Sequence, residues 1–404
     1  MKGVFIVKKV FCAFIGFLTL LSITASSVLA ESAQKDYSHL NGTTINVYNW
    51  GEYISDGSEG SLDVNAEFTK KYGITVNYTN YTSNENLYNK LVGGGANYDV
   101  IIPSDYTIDR LIQEEMLLPL DFSNIPNYSY ILDDYKNLYF DPENKYSIPY
   151  TVGMVGLIYN TKMVDEELTS WNDMWNEKYS KKILMFDNTR DAFSIAQFIL
   201  GQDVNSKNSE DWEAAAELLK KQKPLISSYV MDEIFNKMER GDAAIAPYYA
   251  GDFLSMVEVN PDLAFIYPKE GTNFFVDSMC IPKGAQNKEA AELYINFMLS
   301  TDIAVANANY ICYASPNRTV LESDDYELKG NKILYPSNLD SYNTQMFTKL
   351  DPDTQSLMAS LWNDVKIEGR KYYDVYIGLA VASAAILVLI VYSGIKKKRR
   401  AADY

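Results

Sequence analysis

Between residues 45 and 102 the apolar period switches repeatedly between two and about 3.6, which restricts the folds open to the chain. Ile45 and Val47 alternate with polar residues, as in a strand. Val64, Phe68 and Tyr72 recur at i, i+4 and i+8, and Gly73 closes that helix. Ile74, Val76 and Tyr78 alternate again. Ser83 caps a second helix carrying Leu87 and Leu91, Gly93-Gly94-Gly95 breaks it, and residues 98–102 form a further apolar strand. Strand, helix, strand, helix, strand implies a parallel sheet with right-handed crossovers. The glycine triplet follows a helix and lacks a Gly-Lys-Ser/Thr ending, so it reads as a turn and not a phosphate loop.

A second α/β stretch begins near Tyr150. Strands are expected over 152–159, 183–186 and 274–281. Helices are expected from about Asp191, around Trp212, Ala215, Ala216 and Leu219, and over 289–299. With 404 residues, two compact halves fit the length. Two α/β halves facing each other form a cleft beyond the strand ends, where ligands of open parallel sheets sit.

The two ends read as membrane signals. Lys2, Lys8 and Lys9 precede an apolar run over 10–21 and a small-residue stretch ending at Ala30, the pattern of a cleavable signal peptide over 1–30. Residues 375–395 form a 21-residue uncharged stretch, followed by Lys396, Lys397, Lys398, Arg399 and Arg400. At about 1.5 Å per residue such a helix spans a ~30 Å hydrocarbon core. The basic cluster, 396–404, then lies in the cytoplasm. The expectation is an α/β protein on the extracytoplasmic face of the membrane, held by a single C-terminal transmembrane helix.

Several function classes drop out on composition. His39 is the single histidine and lies in a polar linker, so a multi-histidine zinc site is excluded. A Ser-His or Cys-His pair would have to draw on that linker. Cys280 and Cys312 are too few for a disulfide framework; one bridge or two buried thiols remain, the thiols being the blander reading. The totals are 36 Lys+Arg and 53 Asp+Glu; without Lys2, Lys8, Lys9, the five C-terminal basic residues and Asp403, residues 31–374 carry a net charge of −24. A field of that sign attracts cations and repels nucleic acid, although acidity also serves solubility.

At the expected strand ends an aromatic stands beside a carboxylate or amide. These segments are Tyr48-Asn49-Trp50-Gly51-Glu52-Tyr53, Pro103-Ser104-Asp105-Tyr106, Asp187-Asn188-Thr189-Arg190-Asp191, Tyr249-Ala250-Gly251-Asp252 and Phe274-Phe275-Val276-Asp277. Carboxylates satisfy ammonium groups through charge-assisted hydrogen bonds. Aromatic faces attract cations and cover methylene chains. An aliphatic polycation needs both. Each piece also has a plain structural reading: aromatics fill cores, Asp191 caps its helix, and Asp105 is a turn residue.

The ordered set resembles the spermidine/putrescine-binding proteins of bacterial polyamine ABC transporters. The matching motifs are VYNWGEYI (47–54), YDVIIPSDY (98–106), YSIPYTVG (146–153), SWNDMW (170–175), FDNTRDAF (186–193), YAGD (249–252), YPKEG with FFVDSMCIPKGAQNKE (267–289), INFML (295–299) and YASPN (313–317). They cover roughly residues 44–340. The resemblance implies a two-lobed periplasmic-binding-protein fold of type II. One lobe would comprise 44–149 plus 277–322, the other 150–276 plus 323–371. It implies that no reaction is catalysed, that no cofactor or metal is needed, and that the partners are a polyamine (putrescine or spermidine) and membrane permease subunits. By position it assigns Trp50, Tyr53, Ser104, Tyr106, Asp191, Tyr249, Asp252, Phe275, Asp277 and Tyr313 to the ligand site, Asp277 as the principal amine-binding aspartate. Tyr249 stands where the family has tryptophan. Asn188 replaces an acid found in spermidine-preferring members, and Asp252 matches putrescine-preferring ones. Two alternatives keep some of these residues: a ferric-ion binder using Tyr248-Tyr249, and a surface carbohydrate-active enzyme using paired carboxylates.

Overall fold

The computed structural model describes residues 35–94, 97–367 and 383. The chain divides into two compact units, Met1–Gly42 and Thr43–Tyr404. Within the first, the described structure is a single 3-10 turn, Ser38–Leu40. Among its described residues the second contains ten strands in one continuous sheet.

Its first strands and helices follow the periodicity closely. Strand β1 (Thr44–Trp50) pairs in parallel with β2 (Thr75–Tyr81) and with β3 (Val100–Ile101). Helix α1 (Val64–Tyr72) buries Val64 and Phe68, is capped by the Asp63 side chain, and ends at Gly73 with φ +67°. That left-handed backbone favours glycine. Helix α2 (Asn84–Val92) is capped by Ser83 and ends where the glycines begin. The strand expected over 98–102 shrinks to two residues. Tyr98 instead stacks on Tyr48 at 4.2 Å, and the Asp99 carboxylate accepts the backbone N–H groups of Asn46, Gln286 and Asn287. Helix α3 (Asp105–Gln113) follows β3.

The 14-residue strand β4 (Ser147–Asn160) passes between the two halves of the sheet. Residues up to Met154 pair with β9 (Thr272–Cys280), and Val155 to Tyr159 pair with β7 (Ile245–Tyr249). Beyond β7 lie β5 (Ile183–Phe186) and β6 (Ile226–Val230), both parallel to it in order. The path is β2-β1-β3-β9-β4-β7-β5-β6, with β8 (Leu263–Ile266) on β4 and β10 (Thr344–Gln345) on β9. Each half is therefore a parallel three-strand group joined to antiparallel central strands. Helices α4 (Thr189–Leu200), α5 (Ser209–Gln222), α6 (Glu233–Glu239) and α7 (Ala250–Val259) belong to the middle of the chain. Helices α8 (Lys288–Met298), α9 (Thr301–Ile311), α10 (Arg318–Glu322) and α11 (Pro352–Ile367) follow β9. Trp171, Trp212, Tyr248 and Phe68 are among the largest fully buried side chains. Cys280 and Cys312 are separate buried thiols, not a bridge.

The expected signal peptide over 1–30 lies outside the described residues, as does the expected membrane span over 375–395 apart from Ser383. The C-terminal transmembrane helix is corrected out of the fold class. Among the described residues no helix is long and apolar enough to cross a membrane. The longest of them, α11, has 16 residues, or about 24 Å at the α-helical rise, short of a ~30 Å core. It also carries Asp353, Asp364 and Lys366, and packs Trp362 against Phe193 and Tyr229.

Phe68 is fully buried against Tyr294 and Phe297 at 5.1 and 5.3 Å between centroids. Phe68→Ala should destabilise the protein by about 3–5 kcal/mol in urea unfolding followed by tryptophan fluorescence.

Candidate functional site

Parallel strands direct their carboxyl ends to one edge, and loops there can converge. Trp50 ends β1 and sits opposite Tyr81 at the end of β2. Ser104 and Asp105 follow β3, Asp187 and Asn188 follow β5, and Met231 and Asp232 follow β6. Tyr249 ends β7, and Asp252 lies one turn further on. Strand β9 contributes from its middle: Asn273, Phe275 and Asp277 fall at i, i+2 and i+4, on one face of the pleat.

These positions meet. A cleft of about 640 Å³ is lined by all ten residues expected from the sequence: Trp50, Tyr53, Ser104, Tyr106, Asp191, Tyr249, Asp252, Phe275, Asp277 and Tyr313. Five aspartates line it, and no lysine, arginine or histidine does.

Each of three acids is held by a phenol. The Tyr53 hydroxyl donates to Asp277 Oδ2 at 2.8 Å and also contacts Thr151 Oγ1. The Tyr249 hydroxyl donates to Asp191 Oδ2 at 2.8 Å. The Tyr313 hydroxyl donates to Asp252 Oδ2 at 3.0 Å. Burial pushes all three carboxyls up: Asp277 to about 6, Asp191 to about 7 and Asp252 to about 8. The phenol bonds pull the other way without cancelling the effect. Asp277 Oδ1, Asn273 Oδ1 and Trp50 Nε1 are buried with no hydrogen-bond partner.

The capping role weighed for Asp191 belongs to Asn188, whose side chain accepts from Arg190 N. Asp191 is thereby free to face Tyr249. Asp105, weighed as a turn residue, is fully buried at the start of α3. Its oxygens accept from Tyr106 N at 2.7 Å and Val276 N at 3.4 Å, tying β9 to the helix.

The rings form a continuous wall. Tyr53 meets Tyr313 edge-on at 4.8 Å, and Tyr249 meets Phe275 edge-on at 5.5 Å. Trp50 leans on Tyr81 at 4.5 Å. Two glycines make room. A Cβ on Gly153 would lie 2.3 Å from the Phe275 ring, and one on Gly251 would lie 2.4 Å from Tyr313. Glycine is required at these positions by close approach, and both backbones have ordinary φ.

Reading the sequence missed Asp232, Asn273, Phe235 and Phe347, all of which line the cleft. Asp232 is an exposed rim acid whose pKa is raised by partial burial and by Glu52. It obeys the same rule as the others, a carboxylate just past a strand end, in the segment Tyr229-Val230-Met231-Asp232. Asn273 was legible as the residue two before Phe275 on the same strand face.

For each raised carboxyl, the folded form holds its proton more tightly than an unfolded aspartate near 3.9. Stability from these groups is complete below about pH 4 and is lost as pH rises through about 6, 7 and 8. The free protein should lose melting temperature between pH 5 and 8. Asp252→Asn should flatten the upper part of that fall in scanning calorimetry.

Comparison with known proteins gives four likenesses. Residues 64–332 match the family model for bacterial extracellular solute-binding proteins. The spermidine/putrescine-binding periplasmic protein of Salmonella typhimurium is 35% identical over 337 residues, covering 82% of this chain and 90% of that protein. The putrescine-binding periplasmic protein PotF of Escherichia coli is 28% identical over 345 residues, covering 80% and 91%. The crystal structure of the spermidine/putrescine ABC transporter substrate-binding protein PotD from Streptococcus pneumoniae superposes with a TM-score of 0.67. It is 34% identical, with 80% of this chain and 99% of that one covered. These relatives are named as periplasmic or substrate-binding proteins. With no membrane-capable helix among the described residues, single-pass anchoring with a cytoplasmic C-terminus is withdrawn as the localisation.

Proposed function

We propose that this chain, which belongs to the family of bacterial extracellular solute-binding proteins, captures a linear aliphatic polyamine and delivers it to an ABC importer. The observation that carries the reading is the cleft itself: five aspartates, a wall of rings, and no basic side chain among its lining residues. Anionic solutes would meet no cationic partner there. A sugar would leave the buried carboxylates without counter-charge, at a cost that a cation removes. An alkyl diammonium ion supplies charge at its ends and methylenes for the rings.

In this reading Asp277 takes one ammonium group, its unpartnered Oδ1 being a ready acceptor. Asp191 or Asp252 takes the other. Trp50, Tyr249 and Phe275 cover the carbon chain, with Tyr53, Tyr106 and Tyr313 completing the wall and Ser104 at its polar end. The lobes, 44–149 plus 277–322 and 150–276 plus 323–371, hinge closed around the ligand and present a surface to the permease. No bond is made or broken. The ferric alternative has little in its favour. Tyr248 stacks on Phe186 at 5.4 Å, and burial with nearby carboxylates pushes the pKa values of Tyr248 and Tyr249 far up, away from tyrosinate.

Isothermal titration of the purified protein with putrescine and with spermidine tests the proposal. Saturable binding at micromolar concentration or below is expected for at least one amine. Asp277→Asn should weaken it about 10- to 100-fold, the loss of one charge-assisted bond. Heat absent from both titrations would end the reading.

Proton exchange gives a second check. At pH 7 Asp252 is mostly protonated and Asp191 about half so, from values near 8 and 7. Pairing with ammonium favours the carboxylate, so binding releases protons. Titrations at pH 7 in buffers of different ionisation enthalpy should reveal that release. Affinity should fall as pH drops from 8 to 6. A buffer-independent enthalpy would contradict the role of these acids.

A further inference from the structure

A second cavity of about 420 Å³, which shares Asn84 and Tyr106 with the lining of the polyamine cleft, has the opposite charge. Arg110 from α3, Arg190 from α4 and Lys349 from the loop before α11 all line it. Glu85 is the one carboxylate on its wall.

Arg190 is the unusual group. Its residue is only 2% exposed. Nη2 donates to Asn205 Oδ1 at 2.8 Å and to the Thr348 carbonyl at 3.4 Å. Its Nε and Nη1 are buried with no partner. Its guanidinium lies over the Phe347 ring at 4.5 Å and 5.7 Å from that of Tyr106. Rings soften a buried cation but do not satisfy its N–H groups. No carboxylate forms an ion pair with it among the described residues. The Glu85 and Asp105 charges favour the cation from a distance, but a buried guanidinium with two unsatisfied nitrogens is still costly, and an anion bound against it would offset that cost.

The other two cations are tethered and half-exposed. Arg110 pairs with Glu114 through Nε at 2.9 Å and stacks on Tyr88 at 3.3 Å. Lys349 Nζ donates to the neutral Gln113 Oε1 at 2.8 Å, and its charge also acts on Glu114, the acid already paired with Arg110. Thr107 and Gln355 add neutral donors to the wall. Glu85 opposes an anion only while ionised. Burial raises its pKa, while the Arg190 charge and the Tyr106 hydroxyl, which donates to Oε1 at 3.4 Å, act against that rise.

We propose that this cavity binds a tetrahedral oxyanion, inorganic phosphate or the phosphate of a small monoester, between Arg190, Arg110 and Lys349. Planar guanidinium forks suit two oxygens at once, and the lysine adds a point charge. The site brings together α3, α4 and the loop entering α11, so the anion would bridge segments far apart in the chain.

The test uses the full-length protein and phosphorus NMR. Inorganic phosphate titrated with protein should broaden saturably, at one site per chain. Glycerol 2-phosphate in a parallel arm separates the sources: broadening of both assigns any small monoester, and broadening of phosphate alone assigns the free ion. Lys349→Gln should weaken binding about tenfold, the effect of one charge-assisted contact. Arg110→Gln with Lys349→Gln should weaken it further. Putrescine titration of the same variants verifies that each has folded. Broadening that never saturates, or saturable broadening equal in wild type and double variant, would overturn the site.

Discussion

The structure turns on the burial of carboxyl groups beside a cleft that has no basic residue in its lining. Asp191, Asp252 and Asp277 each have a phenol hydroxyl as a partner, and no lysine or arginine shares the lining with them. A phenol can stabilise a carboxylate by donation, yet it cannot neutralise it. The acids therefore keep raised pKa values and an unmet demand for positive charge. Had arginine been their partner, the same folded framework would hold internal salt bridges and little attraction for a diammonium ion.

Three tyrosines carry that arrangement. Tyr53, Tyr249 and Tyr313 serve twice, offering a ring to a hydrocarbon chain and a hydroxyl to an acid. Phenylalanine could provide only the first. Tryptophan could provide a larger face, but its N–H is fixed in the ring plane. Gly153 and Gly251 belong to the same design, since a methyl group on either would occupy the space of Phe275 or Tyr313.

Much of this was legible because it depends on local spacing. The 3.6-residue period of Val64, Phe68 and Tyr72 and the left-handed stop at Gly73 became a helix with those bounds. Acids and rings just past strand ends converged because parallel strands point their carboxyl ends one way. The errors arose where distant partners decide. Residues 98–102 have strand-like composition, yet Asp99 is occupied with backbone N–H groups of Asn46, Gln286 and Asn287. Phe347 comes from a stretch with no recognisable motif, and only the tertiary structure brings it to the cleft. The apolar run over 375–395 and the basic cluster after it suggested an anchor, and that segment lies outside the described residues apart from Ser383.

Strand β4 has a consequence for how the molecule can be divided. Its first half pairs with β9 and its second with β7, so one uninterrupted backbone is shared by both groups of strands. Neither half is a contiguous stretch of polypeptide that could be excised and expected to fold unaided. Gene fragments cut at the midpoint of the chain would each lack a central strand supplied by the other. The two sides of the cleft therefore depend on one continuous chain to fold together.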